Sequence, residues 1–189
     1  MRRTVLLVAT MALILLVAGG VALALLARSP LQDSAPRFDC PEDGFLRGGM
    51  CDGTDASERI YGSPEGDRID GGGGDDTIHA LAGWDTVFDT EGRNAAYGGD
   101  GADWITVSGS VYGGPGEDTI EGVFKGGKAS GGPSVDLILV HNGKPSTVSC
   151  GTGRDHVYFD KELDSLAADC ERQIPREYDV PGDVPFSEG

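Results

Sequence analysis

Residues 53 to 139 repeat with a period of nine. As consecutive blocks they read GTDASERIY, GSPEGDRID, GGGGDDTIH, ALAGWDTVF, DTEGRNAAY and GGDGADWIT, then a six-residue block VSGSVY, then GGPGEDTIE, GVFKGGKAS and GGPSVDLIL. A ten-residue spacer, VHNGKPSTVS, precedes a last copy, CGTGRDHVY. A short fixed period is highly restrictive. One block cannot bury its apolar face alone, so the blocks must stack on one another as a solenoid. Position eight of the blocks carries Ile60, Ile69, Ile78, Val87, Ala96, Ile105, Ile120, Ala129, Ile138 and Val157. Position six carries Glu58, Asp67, Asp76, Asp85, Asn94, Asp103, Asp118, Gly127, Asp136 and Asp155.

The block has a physical grammar. Glycines at its start permit positive φ and close backbone approach, which makes a tight turn with exposed carbonyls. The last three positions form a short strand whose middle residue points inward and stacks on its copy in the next coil. One aliphatic side chain per nine residues is a thin core, about 2 kcal/mol for each buried Ile, against a much larger entropy of ordering nine residues. The Asp at each turn repels its stacked neighbours. A hard cation between turns removes that repulsion, and Ca²⁺ takes six to eight carboxylate and carbonyl oxygens.

Three blocks, Gly71–His79, Gly98–Thr106 and Gly113–Glu121, fit GGxGxDxUx at every defined position, U being a large aliphatic. On these the tract resembles the hemolysin-type calcium-binding repeat of repeats-in-toxin proteins. The stretch around Cys150–Cys170 also looks like the ends of repeat proteins exported by actinobacteria. The resemblance implies an all-β fold, a right-handed parallel β-roll, with Ca²⁺ between successive turns. The metal-site residues it implies are Asp67, Asp76, Asp85, Asp103, Asp118, Asp136 and Asp155. The glycines Gly71, Gly72, Gly74, Gly98, Gly99, Gly101, Gly113, Gly114 and Gly116 complete the set.

In such a roll consecutive blocks turn at opposite edges. With VSGSVY and the spacer counted as one turn each, one edge receives Asp67, Asp85, Asp103, Asp118, Asp136 and Asp155. The other edge keeps only Asp76. The expectation is one calcium edge and one largely metal-free edge.

Outside the repeat, Met1-Arg2-Arg3 and Thr4 precede an apolar run from Val5 to Ala27. Residues 1–27 read as a signal peptide or a membrane anchor, with the rest outside the cytoplasm. Ala22-Leu23-Ala24 offers a small-x-small cleavage site, whereas a run of this length can also span a bilayer. An uncleaved segment would be the chain's one attachment to a membrane. The chain is 189 residues long with net charge −16. Without residues 1–27, which hold two Arg and no acid, 13 basic residues face 31 acidic ones, a net −18. Such a surface repels nucleic acid and anionic lipid and suits cations.

Four cysteines, Cys40, Cys51, Cys150 and Cys170, argue for disulfides in an exported chain. Three connectivities are open. Nearest-neighbour pairing, Cys40–Cys51 and Cys150–Cys170, would close one short loop on each side of the repeat and is the pairing expected. Each loop contributes about 3 kcal/mol on the loop-entropy account. The organisation expected is a linker at 28–39, an N-terminal disulfide cap at 40–52, the roll at 53–158, a C-terminal cap at 159–173 and a disordered, Pro-rich acidic tail at 174–189. Phe159–Arg172 has Leu163, Leu166 and Ala167 at helical spacing, so a short terminal helix competes with an irregular cap.

Other patterns are weaker. Gly122–Ala129 nearly spells a phosphate loop but ends in Ala where Mg²⁺ needs Ser or Thr. The pairs Asp75-Asp76 and Glu117-Asp118 occupy repeat positions and are not read as a hydrolytic dyad. Trp84 and Trp104 sit at or near turns, where exposed Trp can stack on sugars. His79, His141 and His156 form no metal-ligand spacing and read as solvated or turn-capping. The expected function is calcium binding that folds an exported structural or interaction module, not an enzyme. A cell-surface adhesion or carbohydrate-binding module with structural calcium is the alternative, and an extracellular polymer hydrolase stands behind it.

Overall fold

The computed structural model describes residues 35–40, 49–121 and 126–176. The apolar run and most of the acidic tail lie outside them. Among the described residues every element is a strand: β1 (Arg37–Asp39), β2 (Met50–Asp52), β3 (Arg59–Tyr61), β4 (Arg68–Asp70), β5 (Thr77–Ala82), β6 (Thr86–Asp100), β7 (Trp104–Tyr112), β8 (Thr119–Glu121), β9 (Lys128–Pro133), β10 (Leu137–Leu139), β11 (Thr147–Thr152), β12 (His156–Asp160), β13 (Ser165–Leu166) and β14 (Arg172–Arg176). No described helix is long and apolar enough to cross a membrane.

All pairings are parallel, and they fall into two ladders. One runs β1, β3, β5, the end of β6, the end of β7, β9, β11 and β13. The other runs β2, β4, the start of β6, the start of β7, β8, β10, β12 and β14. Successive strands therefore alternate between two faces, and one coil consumes two blocks. The result is a β-roll of parallel coils. Register keeps the inward residues in line: Ile60↔Ile78↔Ala96↔Val111↔Ala129↔Val148 on one face. Ile69↔Val87↔Ile105↔Ile120↔Ile138↔Val157 line the other. All twelve are buried. A one-residue slip would turn each column to solvent, so the position-eight aliphatics set the register.

Val111 and Val148 show how the irregular segments join. The six-residue block and the spacer each deliver a valine to the inward slot, so neither breaks the alternation. The three missing residues of VSGSVY are taken from a turn. Asp89 and Asn94 pair with Val107 and Gly109, so five steps of one coil face two of the next. The chain rounds that edge within the nine-residue strand β7. Ala80, Val107 and Val140 are also fully buried, which makes the core thicker than one aliphatic per block.

The disulfides pair Cys40 with Cys51 and Cys150 with Cys170. Cys51 occupies the inward slot below Ile69, and Cys40 N–H donates to Tyr61 O at 2.8 Å. Three expectations about the ends need correction. Arg37–Asp39, within the stretch read as linker, is a strand on β3. Residues 159–173 contain no helix. Leu166 instead aligns with Val148, and Asp160 N–H donates to Asp164 Oδ2 at 2.7 Å, so the coil pattern outcompetes a short isolated helix. Residues 174–176, read as the start of the tail, complete β14 on β12.

Candidate metal centre

The turn that precedes each strand ends in the position-six acid. Parallel coils place these acids directly above one another. At one edge they form a chain of hydrogen bonds in which each backbone N–H donates to the carboxylate one coil on. Asp67 N donates to Asp85 Oδ1 at 2.6 Å, Asp85 N to Asp103, Asp103 N to Asp118, Asp118 N to Asp136 and Asp136 N to Asp155, each at 2.9 Å. The column begins at Gly49 N, which donates to Asp67, and ends at Asp155 N, which donates to Glu171 Oε2 at 3.2 Å. The six aspartates sorted to this edge by the alternating count are thus one column, 18 residues apart except at the short block and the spacer.

One oxygen of each carboxylate is spent in that chain. The other oxygen, Oδ2, has no hydrogen-bond partner in Asp85, Asp103, Asp118, Asp136 and Asp155, although all five are buried. Asp67 differs: its Oδ2 accepts from Ser63 N at 2.5 Å, and Ser63 Oγ donates to its Oδ1 at 3.2 Å. An unpartnered buried carboxylate oxygen is costly. A row of five has one common remedy, a cation.

The glycines make the space. Gly99, Gly101, Gly114 and Gly116, at positions two and four of this edge, have φ between 108° and 147°. Added Cβ atoms at Gly98 and Gly113 would run into the Oδ2 atoms of Asp103 and Asp118. Where the edge lacks glycine the geometry persists under strain: Leu81 sits at φ 84° and Ser134 at φ 110°. On the second edge Gly72 and Gly74 are also at positive φ. That edge holds Asp76, whose Oδ1 accepts from Glu58 N at 2.7 Å, and Asn94, whose Oδ1 accepts from Asp76 N at 2.9 Å.

Burial, and then repulsion from neighbouring carboxylates, push Asp85 and Asp118 up to about 7. The same causes push Asp136 to about 6. Burial also raises Asp103, Asp155 and Asp76. A folded carboxyl that keeps its proton where the unfolded one has lost it stabilises the fold at acid pH. That stability is fully present below the ordinary carboxylate value and is lost as pH rises through about 6 to 7. Calcium-stripped protein should therefore gain β signal in circular dichroism as pH falls from about 8 to 5. A β signal that instead weakens on acidification would show that these carboxylates are not held apart from water as described.

Some residues did not stand out from the repeat. Glu171 closes the column 16 residues after Asp155, where the motif has ended. Asp89 is buried at position one, where the motif asks for glycine. His79, read as solvated or turn-capping, lies in a ladder of rings, Tyr61–His79–Tyr97–Tyr112, with centroids 4.8 to 4.9 Å apart. Asp169 lies beside Cys150 and Cys170, but both sulfurs are spent in the disulfide. Trp84 and Trp104 are exposed, the former by 80%.

Residues 52–87 and 80–109 match the family model for the RTX calcium-binding nonapeptide repeat. No curated protein and no solved structure matches the chain. Residues 52–109 therefore carry RTX nonapeptide repeats, and repeats of this family bind calcium ions. The stacked turns, the oxygen-only donors and the unpartnered Oδ2 atoms are what a hard cation with six to eight oxygen ligands requires.

Proposed function

We propose that Asp85, Asp103, Asp118, Asp136 and Asp155 are the calcium ladder of this roll, each inner carboxylate shared by the ions above and below it. Gly98, Gly99, Gly101, Gly113, Gly114 and Gly116 shape its turns. Asp67 begins the ladder as a hydrogen-bonded end member. Asp76, with Gly71, Gly72 and Gly74, serves a smaller site on the opposite edge. The observation that carries this reading is the row of five buried carboxylates on one edge, each with an oxygen that nothing satisfies.

On this reading the chain is an exported structural or interaction module whose fold depends on calcium. Residues 1–27 form its leader or anchor, 40–52 and 159–173 its caps. The two disulfides support a location outside the reducing cytoplasm. A carbohydrate or cell-surface partner is a second reading. It is favoured by a shallow trough of about 370 Å³ on one sheet face, lined by Trp104, Phe88, Arg68, Asp70 and Glu121. Such a mixture of exposed rings and hydrogen-bonding side chains suits sugar rings.

Equilibrium dialysis of stripped full-length protein against calcium tests the ladder. About four ions are expected from the four gaps between five carboxylates, plus the smaller site. A chain that takes up no more than one ion would refute a ladder.

A further inference from the structure

The second edge holds two carboxylates that the repeat pattern does not bring together. The block DTEGRN has Asn94 where the repeat has its acid and Asp89 where the repeat has glycine. The Asn94 amide is fully used. Its Oδ1 accepts from Asp76 N, and its Nδ2 donates to Glu91 O at 2.7 Å and to Asp89 O at 3.3 Å. It therefore keeps the hydrogen-bond chain without supplying charge. The charge has moved to Asp89.

Asp89 points into the roll. It follows the inward Val87 at period two, it is 1% exposed, and it pairs in register with Val107, which is fully buried. On its other side lies Gly71, whose missing side chain leaves the room: a Cβ there would collide with Asp89 Oδ2. Gly71 begins the turn that ends in Asp76. Neither oxygen of Asp89 has a hydrogen-bond partner, and Asp76 Oδ2 has none either. The Asp89 and Asp76 carboxyls are close enough to interact directly, so three unsatisfied oxygens belong to two neighbouring buried carboxylates. Two buried carboxylates so placed cannot both remain ionised without a counter-charge.

We infer that Asp89 and Asp76 together hold a divalent cation, calcium, at an interior site on the second edge that the nonapeptide motif does not encode. Asp89 from position one replaces the position-six acid lost at Asn94. This rests on the calcium-binding reading of the roll but not on the Asp85–Asp155 ladder, because no ladder residue takes part.

The test counts calcium bound to the full chain after dialysis, at neutral pH, for the wild type, Asp89→Asn and the ladder variant Asp103→Asn. Asp89→Asn is expected to lose about one ion per chain and to leave the ladder ions in place. Asp103→Asn is expected to lose ladder ions and retain the one that Asp89 holds, so that the double variant loses the sum. A wild type that binds no calcium overturns the ladder and this site together. Full stoichiometry in Asp89→Asn overturns this site alone. Should Asp89→Asn fail to fold, Asp89→Gly restores the residue that the repeat itself carries at position one, and the same count applies. The competing state is a proton shared by the two carboxyls. An infrared band of an un-ionised carboxylic acid in calcium-saturated wild type, absent from Asp89→Gly, would establish the proton and overturn the cation.

Discussion

Stripping calcium at pH 8 is expected to abolish the β spectrum of this protein, and restoring millimolar calcium is expected to return it. A ligand that binds only the native state adds RT ln(1 + [L]/Kd) per site. With calcium at ten times a Kd near 10⁻⁴ M, each site contributes about 1.4 kcal/mol. Four sites in the ladder then contribute about 6 kcal/mol, comparable with the whole stability of an ordinary domain. Without the ion the same carboxylates count against the fold, because five buried oxygens are left without partners. Circular dichroism with and without excess chelator is the measurement. An unchanged spectrum and melting temperature would mean that the disulfides and the stacked aliphatics hold the roll by themselves.

Alanine at Asp103 is expected to cost about twice the calcium lost by alanine at Asp76. Asp103 is an inner member of the ladder. Its Oδ1 accepts from Asp85 N and its own N–H donates to Asp118, so its removal opens the gaps on both sides. Asp76 stands between Glu58 and Asn94, neither of which extends a ladder. In the next coil the shortened block rounds that edge within β7 and sets Gly109 beside Asn94, so no position-six acid continues the column there. A motif-only view predicts equal losses, since GGGGDD and GGDGAD fit the repeat equally well. Bound calcium per chain and the calcium midpoint of folding, measured for both variants, separate the two. If Asp76→Ala loses as much as Asp103→Ala, the one-sided ladder is wrong.

The alternation of edges was legible in the sequence because it depends only on counting. Nine residues return the chain to the opposite edge, and both irregular segments happen to preserve that parity. The inward column was legible for the same reason, as was the pairing of cysteines that flank a rod. What escaped depends on side-chain direction at positions where the motif is broken. Val111 and Val148 lie in segments that have no ninefold frame from which to read an inward slot. Asp89 looks like a lost glycine until the missing side chain of Gly71 is placed beside it. Glu171 lies past the last block, so nothing in the period marks it as the end of the column. The helical spacing of Leu163, Leu166 and Ala167 was real but short, and the waiting edge of β11 decided how Leu166 was used.

The ring ladder Tyr61–His79–Tyr97–Tyr112 has a consequence for anyone following this molecule in solution. Its four members come from four successive coils, and Arg37 of a fifth lies 4.1 Å from the Tyr61 centroid. Rings less than 5 Å apart and within 14° of parallel couple their electronic transitions. That coupling exists only while the coils are stacked at their native pitch. The protein thus carries an unlabelled optical gauge on its surface, one that reports the spacing of coils rather than the amount of strand.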